Sequence, residues 1–395
     1  MSVSAQMKKR RIYFMKRKAG MIAASFMVMA LAAGCGQKEA QAPAATAAPT
    51  TAAPTTEAAT TAAETTKAEE TTKAQETTAA KEESKGAEGG YKTGLAIVSS
   101  VASSKEPADG KDGTAQVDSV AVAVVVDEDG KIVNCYIDTV QNKMGFTAEG
   151  KAVMKEDFQT KKELGEKYGM KAASGIGKEW DEQAAALEEY VIGKTAEEVA
   201  GIAVDDTTKP TDVDLVAGVT IKIGQYKEAI VEAVQNAEAV GTQPGDKLGL
   251  GIITDMHKSK DAEGDKEGQC QAYSTYVAVT TDKDGKITAA VIDATQGTVK
   301  FDASGKITSD LTSGVKTKRQ LGEDYGMRKA SGIGREWFEQ AGDMEDYLVG
   351  KTSGEVTGIA VDGDGKATAP DLLTSVTISV DGYQTAAVKA MENAK

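Results

Sequence analysis

The sequence predicts an α+β protein of two tandem repeats, each a β-hairpin or small sheet followed by helices, after a disordered tether. Residues 160–237 align without a gap to residues 317–394, with about half of the positions identical. Before each aligned segment, β-branched runs around a turn signal indicate paired strands, and within it periodic apolar positions indicate helices. The duplication also serves as an internal control, because a residue that does the same chemistry in both repeats should recur in both.

The N-terminus has the composition of a bacterial lipoprotein signal peptide. Residues 1–34 hold seven Lys and Arg and no acidic residue, and an apolar run at 21–31 leads into Leu-Ala-Ala-Gly-Cys35. This ending is typical of a lipobox, in which cleavage leaves a lipidated cysteine at the mature N-terminus. The run is shorter than the roughly 20 apolar residues of a spanning helix. We therefore predict a lipid anchor on Cys35; a secretory signal cut elsewhere and a short membrane anchor are the alternatives.

The segment after the lipobox is predicted to be a linker. Residues 36–90 contain no large apolar side chain and consist mainly of Thr, Ala, Glu and Lys. Such a segment buries too little surface to offset the entropy lost on ordering, so we expect residues 35–90 to be disordered. The repeats then occupy residues 91–240 and 247–395. Each is long enough to own a core, and we expect the two to fold independently.

Charge and residue usage exclude several classes of protein. The net charge of −14 disfavours nucleic acid as a partner. Cys135 and Cys270 occupy non-equivalent repeat positions, and the single histidine, His257, lies in a charged segment typical of a solvated loop. A metal or thiol site built into the repeat would be duplicated, so we expect no metal site and no histidine-based triad. We interpret both cysteines as buried thiols, with a disulfide between the repeats as the alternative.

Strands and helices are predicted at matching places in the two repeats. The predicted strands are 117–126 and 132–137 around Asp129-Gly130, and 276–280 and 287–292 around Asp284-Gly285. The predicted helices of the first repeat are 161–168, 177–191 and a last one through Ile223, Tyr226, Ile230 and Val234. Capping boxes are predicted at Thr195/Glu198 and Thr352/Glu355. Residues 219–223 alternate in polarity, so a short strand there is an alternative.

One duplicated segment has the composition of an attachment site. Asp214-Leu-Val-Ala-Gly-Val-Thr220 recurs as Asp371-Leu-Leu-Thr-Ser-Val-Thr377, with small residues before the threonine and an amphipathic helix after it. A threonine at the start of a helix would present its hydroxyl where free N–H groups and the helix dipole favour a phosphate. The alternative is that both threonines are helix caps or strand residues.

This segment resembles the flavinylation motif Asp-x-x-Ser/Thr-Gly-Ala-Thr of FMN-binding domains. That family includes the C subunit of sodium-translocating NADH–quinone reductase and the G subunit of the Rnf complex. With the lipobox and the linker, the chain is most similar to the multi-flavinylated surface lipoproteins of extracellular electron transfer in Gram-positive bacteria. The resemblance implies that a flavin transferase, using FAD and Mg²⁺, esterifies the phosphate of FMN to Thr220 and Thr377.

The remaining motif positions match in part. Asp214 and Asp371 occupy the aspartate position, and the glycine position holds Gly218 in the first repeat and Ser375 in the second. The Ser/Thr position holds Ala217 and Thr374, and valine replaces the motif's alanine in both copies. Because the second repeat keeps Thr374, we expect Thr377 to be modified more completely than Thr220.

A second duplicated segment, Ala-Ser-Gly-Ile-Gly-Lys/Arg-Glu-Trp, spans residues 173–180 and 330–337. It lacks the lysine and hydroxyl residue of a P-loop, so nucleotide hydrolysis is not indicated. We interpret it as a glycine-rich helix entry, with an anion cradle as the alternative. Trp180 and Trp337 are interpreted as core residues or as aromatic neighbours of a flavin.

We therefore expect a membrane-anchored extracellular electron-transfer flavoprotein with covalent FMN on each repeat, an electron carrier rather than a turnover enzyme. The resemblance implies three partners: a flavin transferase, a membrane quinone-linked electron donor and extracellular electron acceptors. Contact with the membrane is expected through the lipid anchor only. The alternative is a non-catalytic surface lipoprotein that binds a small ligand or acts as a scaffold in the cell wall.

Replacing Cys35 by Ala should abolish lipidation and release the protein from the membrane fraction, because alanine has no sulfur to acylate. Fractionation followed by intact-mass measurement tests this prediction. Cys135→Ala is the matched control and should remain with the membrane. If the Cys35 variant stays in the membrane fraction at the wild-type level, the anchor is a different group.

Overall fold

The computed structural model describes residues 90–395, which belong to one compact unit. The predicted signal peptide, Cys35 and the linker before residue 90 lie outside the described residues. The predicted α+β class is confirmed, since each repeat is an antiparallel sheet followed by helices. None of the helices in residues 90–395 is long and apolar enough to cross a bilayer.

Each repeat begins with a three-stranded antiparallel meander. The first contains β1 (Lys92–Ser100), β2 (Gly113–Val126) and β3 (Ile132–Phe146), with a two-residue β4 (Ala152–Val153) paired to β3. The second contains β5 (Lys247–Asp255), β6 (Gly268–Thr281) and β7 (Ile287–Phe301). The predicted turns join β2 to β3 and β6 to β7. The first strands, β1 and β5, are not anticipated by the sequence analysis.

The helices follow each meander in the same order. The first repeat has α1 (Lys161–Leu164), α2 (Trp180–Val191), α3 (Ala196–Ala200), α4 (Val213–Val216) and α5 (Gly224–Gln235). The second has α6 (Lys318–Leu321), α7 (Trp337–Leu348), α8 (Ser353–Thr357), α9 (Pro370–Leu373) and α10 (Asp381–Asn393). Short 3₁₀ turns at Gly165–Tyr168 and Gly322–Tyr325 continue α1 and α6.

Side-chain caps fix where several helices begin. The capping boxes predicted at Thr195 and Thr352 are confirmed, with each threonine accepting from the backbone N–H of the glutamate three residues later. Thr160 and Thr317 form two further boxes at the starts of α1 and α6, which the sequence analysis missed. Each box satisfies two backbone donors that would otherwise lack partners.

The two meanders pack face to face and share one core. Leu95, Ala121 and Tyr136 of the first sheet are buried in the same cluster as Leu250 and Tyr276 of the second. Nearby, the rings of Phe146 and Phe301 stack with centroids 4.6 Å apart. The opposite face of each sheet is covered by the helices of its own repeat, so the layers run helix, sheet, sheet, helix.

This packing revises one expectation. The central strands are buried on both faces, which explains the nearly continuous apolar run of β2. Separate repeats would expose Tyr276 and its neighbours, which are inaccessible to solvent in the intact unit. The expectation that the repeats fold independently therefore does not fit the structure, although each repeat does own a second core beneath its helices.

Both cysteines outside the lipobox are free and buried, as the sequence analysis predicts. Cys135 packs beneath the helices of the first repeat, and Cys270 lies between the sheets. Burial raises the pKa of the Cys270 thiol to about 12, so this thiol remains protonated at neutral pH. A disulfide between the repeats is not formed.

The sheet-on-sheet contact can be tested at Gly297, where β7 approaches β2 closely. A Cβ atom at this position would lie 2.5 Å from Cγ1 of Val117, so a side chain would force the sheets apart. We expect Gly297→Val to lower the free energy of unfolding by about 1–3 kcal/mol, the usual cost of overpacking a core. Urea denaturation measures the change.

The matched control for this test is Gly342→Ala in α7, where an added Cβ meets open space. Alanine in a helix interior is favoured over glycine by roughly 0.5–1 kcal/mol, so this variant should be neutral or more stable. Equal stability of Gly297→Val and the wild type would contradict the close packing of the two sheets.

Candidate functional site

The duplicated threonines lie in equivalent loops. Thr220 is between α4 and α5, Thr377 is between α9 and α10, and both are partly buried. Helix α5 begins only at Gly224, with Ile223 as its N-cap residue. The prediction that Thr220 begins the helix is therefore wrong, and no strand forms at 219–223. The helix begins later because the N–H of Ile223 donates to the carbonyl of Thr208 at 2.8 Å instead of joining a helical turn.

A buried glutamine holds each threonine in place. Gln183 of α2 accepts from the N–H of Thr220 at 2.8 Å, and its amide nitrogen donates to the carbonyl of Lys178 at 3.2 Å. Gln340 of α7 accepts from the N–H of Thr377 at 2.8 Å. Both glutamines are fully buried. Because a buried amide is costly to leave unpaired, this contact fixes the threonine backbone against the helix.

The glycine-rich segment meets the threonine hydroxyl. Thr220 donates from Oγ1 to the carbonyl of Ser174 at 2.9 Å, and Thr377 donates in the same way to Ser331 at 3.0 Å. The Ser174 hydroxyl in turn accepts from the N–H of Lys178 at 3.0 Å, which closes the segment into a tight loop. The structure thus brings together two duplicated motifs that are 46 residues apart in the sequence.

A carboxylate secures the other end of this segment. Glu179 accepts from the N–H groups of Met170 and Lys171 at 2.8 and 3.0 Å, and it also begins α2 as its N-cap residue. Glu336 makes the same contacts in the second repeat. Both glutamates are at most 4% exposed. The segment is therefore a helix entry, as interpreted. Its carbonyl at Ser174 accepts the hydrogen bond from the hydroxyl of Thr220.

A cavity of about 460 Å³ opens beside Thr377. This volume lies within the range of about 300–1,000 Å³ that small-molecule sites occupy. Tyr325, Trp337 and Tyr383 contribute aromatic walls, and Lys318 also lines the cavity. Trp337 is 1% exposed and donates from Nε1 to the hydroxyl of Tyr383 at 2.9 Å. Trp337 is thus both a core residue and part of the cavity wall. The remaining lining residues at the rim include Asp255, His257 and Lys366.

The first repeat places equivalent residues around Thr220. Trp180 donates from Nε1 to the hydroxyl of Tyr226 at 3.0 Å, and the ring of Tyr168 lies over the ammonium of Lys161 at 4.8 Å. One difference is on β2, where Asp118 occupies the position that Tyr273 has on β6. The two sites therefore share their threonine, tryptophan, tyrosine and lysine but differ in charge.

A buried lysine stands next to each aromatic wall. Lys318 is 4% exposed and donates to the hydroxyl of Tyr273 at 2.7 Å, with its ammonium 4.6 Å from the ring centroid of Tyr325. Burial lowers the pKa of Lys318 to about 7. Burial likewise lowers the pKa of Lys161, while the charge of Asp118 acts in the opposite direction. The sequence analysis missed both lysines because this residue type is usually exposed.

The structure places the other predicted site residues in two different environments. Gly218 and Ser375 lie two residues before the threonines and are partly buried. Asp214 and Asp371 lie in the first turns of α4 and α9 and are exposed, and Asp371 is not among the residues that line the cavity. The structure therefore places the glycine-position residues next to the threonine and the aspartates on the surface.

Within residues 90–395, no group of three or more His, Cys, Asp or Glu side chains is positioned to hold a metal ion. His257, predicted to lie in a solvated loop, is about half exposed and pairs through Nδ1 with the carboxylate of Asp255 at the cavity rim.

Comparisons with known proteins give limited matches. No family model matches the chain, and no solved structure matches it. A chlorophenol reductase of Desulfitobacterium hafniense is 41% identical over 91 residues, which cover 20% of this chain. The match spans 28% of the length of that relative. A match of this extent does not assign the chain to a family.

The buried ammonium of Lys318 should make the stability of the protein depend on pH. The ordinary pKa of lysine is about 10.4, and that of Lys318 is lowered to about 7, so the folded protein binds this proton more weakly than the unfolded chain. Stability is therefore greatest above the ordinary pKa and is lost as pH falls toward 7. Lys318→Met removes this dependence, so its advantage over the wild type should grow as pH falls from about 10 to 7 and then level off.

Urea denaturation of the flavin-free protein across this pH range measures the difference between variant and wild type. Lys283→Met is the matched control, because the side chain of Lys283 is 86% exposed, and it should show no such trend. A constant difference between Lys318→Met and the wild type at all pH values would show that the ammonium carries no desolvation cost.

Proposed function

We propose that this protein is an electron-transfer flavoprotein that carries FMN esterified to Thr220 and Thr377. One observation supports this proposal most. In the second repeat, a threonine hydroxyl held by a buried glutamine stands at an aromatic-lined cavity, and the first repeat reproduces the same hydrogen bonds. The proposal includes a lipid anchor on Cys35 and an extracellular position, which rest on the sequence.

The residues at the second site fit FMN in size and chemistry. The cavity of about 460 Å³ has the volume of a small-molecule site, and flat aromatic walls suit a flat, polarisable ring. The hydroxyl of Thr377 supplies the oxygen for a phosphoester, and lysines at the cavity supply positive charge near a phosphate. When bound, FMN supplies reversible electron transfer, which no side chain of this site can perform alone.

The hydrogen bonds around the threonine prepare its oxygen for attachment. Both groups next to Oγ1 of Thr220, the carbonyl of Ser174 and the amide oxygen of Gln183, are acceptors. They draw the hydroxyl hydrogen toward the protein and leave the oxygen lone pairs facing away from them. In attachment, a bond forms between this oxygen and the phosphorus of the FMN half of FAD, while the phosphoanhydride bond breaks and AMP leaves with the hydroxyl proton.

Two further observations support the proposal. Asp214 and Asp371 are exposed beside the attachment loop, where a modifying enzyme can reach them. The partial match to a protein named chlorophenol reductase agrees with a redox role, and it says nothing of a shared substrate. The partners in this proposal are a flavin transferase, a membrane quinone-linked electron donor and extracellular acceptors. A ligand-binding or scaffolding lipoprotein without flavin is the alternative function.

Single substitutions test the attachment sites. Valine keeps the branched shape of threonine and removes the hydroxyl, so Thr220→Val and Thr377→Val should each lose one FMN and the double variant both. Intact-mass spectrometry of protein produced with an active flavin transferase measures the loss. Thr377→Ser keeps the oxygen and should retain flavin where Thr377→Val does not. In wild-type protein, occupancy should be higher at Thr377 than at Thr220.

The matched control is Thr368→Val, since Thr368 is an exposed threonine before α9 and lies outside the motif. It should keep both flavins. Protein that gains no FMN mass beside an active transferase, or a double variant that keeps its full complement, would rule out the proposed attachment.

A further inference from the structure

Each repeat buries a lysine ammonium that has no salt bridge within residues 90–395. Lys161 is 8% exposed and Lys318 is 4% exposed. The ammonium of Lys161 lies 5.2 Å from the ring centroid of Trp180, and that of Lys318 lies 5.1 Å from the ring centroid of Trp337. These are the same two tryptophans that pack beside the attachment loops.

Such an ammonium is costly without an anion. Aromatic faces attract a cation, but they recover only part of the hydration that burial removes. Lys318 lines the cavity beside Thr377, so its positive charge is directed toward the space that a ligand would occupy. The charge and position of this lysine therefore favour a ligand that carries negative charge inside the aromatic walls.

We propose, building on the proposed function, that Lys161 and Lys318 stabilise the negative charge that the flavin gains on reduction, and that the two repeats hold FMN at different potentials. The flavin of the second repeat is the more easily reduced. A cation near the ring of a flavin favours its reduced form, so the site with more net positive charge has the higher potential.

One charge difference next to the buried lysines lies on the central strand. In the second repeat, Lys318 bonds to the neutral hydroxyl of Tyr273. In the first repeat, Asp118 occupies the equivalent place on β2, and its negative charge acts on Lys161. The carboxylate offsets the ammonium there, whereas a neutral hydroxyl takes its place beside Lys318.

Other charged groups do not reverse this difference. The buried Asp138 on β3 acts on Lys161, and its counterpart Asp293 on β7 acts on Lys318, so these two carboxylates balance between the repeats. Lys143 also acts on Lys161, but it is exposed and its effect is smaller than that of Asp118. At the rim of the second site, the carboxylates of Asp255 and Asp381 are exposed, and Asp255 is paired with His257. The carboxylate that acts on Lys318 is that of Asp293. Burial raises the pKa of the nearby tyrosines Tyr168, Tyr325 and Tyr383, so these hydroxyls are neutral at ordinary pH.

This difference in potential sets a direction for electron transfer between the two repeats. Two identical flavin sites would exchange electrons without preference, whereas two sites of different potential pass them from the first repeat to the second. The first repeat follows the linker, and the second follows the first. Electrons would therefore move toward the repeat that is further along the chain from the predicted anchor.

Variants with a single flavin test the inference. Thr377→Val leaves FMN on the first repeat only, and Thr220→Val leaves it on the second only. Spectroelectrochemical titration at about pH 6, below the lowered pKa of Lys318, should give the second repeat the higher midpoint potential. In the single-flavin backgrounds, Lys318→Met should lower the potential of the second repeat, and Asp118→Asn should raise that of the first.

Three controls make the outcome specific. Lys283→Met removes a surface charge and should leave the potential of the second repeat unchanged. Lys318→Arg keeps the charge and should restore most of the potential that Lys318→Met loses, which a merely structural role would not require. Thermal unfolding of each variant shows whether the fold is intact; methionine suits the aromatic surroundings of Lys318, and Asp118→Asn leaves that lysine untouched.

The possible failures are distinguishable. Protein that acquires no FMN would contradict the proposed function and this inference together. Two results with FMN-loaded protein would contradict the inference alone and leave the attachment sites in place. One is equal midpoint potentials for the two repeats. The other is a midpoint potential of the second repeat that changes no more in Lys318→Met than in Lys283→Met.

Discussion

The contact between the two long β-meanders constrains everything else in the structure. Each sheet buries one face against the other, so the helices of each repeat can pack only on the remaining outer face. The loops that carry Thr220 and Thr377 and the cavity beside Thr377 lie in this outer layer, where helix α7 and strand β6 converge on Thr377. A shared inner core therefore leaves two separate outer sites, and duplication yields two sites in one compact unit rather than two independent domains.

The sequence predicts much of the fold because the duplication confirms each pattern twice. The hairpins, the amphipathic helices and two capping boxes follow from local patterns. Strands β1 and β5 are harder to predict because glycine weakens a strand pattern. In β5 the glycine is required: a Cβ atom on Gly249 would lie 1.9 Å from the carbonyl oxygen of Ala390, where α10 crosses the sheet. Packing of the two sheets is a long-range property that no local pattern reveals.

The site residues, like the fold, can be predicted from the sequence only in part. Thr220 and Thr377 are recognisable from a short motif, but the groups that hold them come from distant segments. Gln183 and Gln340 are duplicated polar residues on apolar helix faces, and this signal could have identified them. Lys161 and Lys318 give no such signal, because lysine next to a helix cap is usually solvated. Their burial follows from the aromatic side chains that tertiary packing brings around them.

Peptide mapping of wild-type protein loaded by an active flavin transferase tests the central claim most directly. After proteolysis, flavin-fluorescent peptides are isolated and the modified residue is located by tandem mass spectrometry. The structure and the motif together predict two flavin peptides, one modified at Thr220 and the other at Thr377, each through a phosphoester. FMN attached to any other residue, or no flavin peptide at all, would contradict the assignment of these loops as attachment sites.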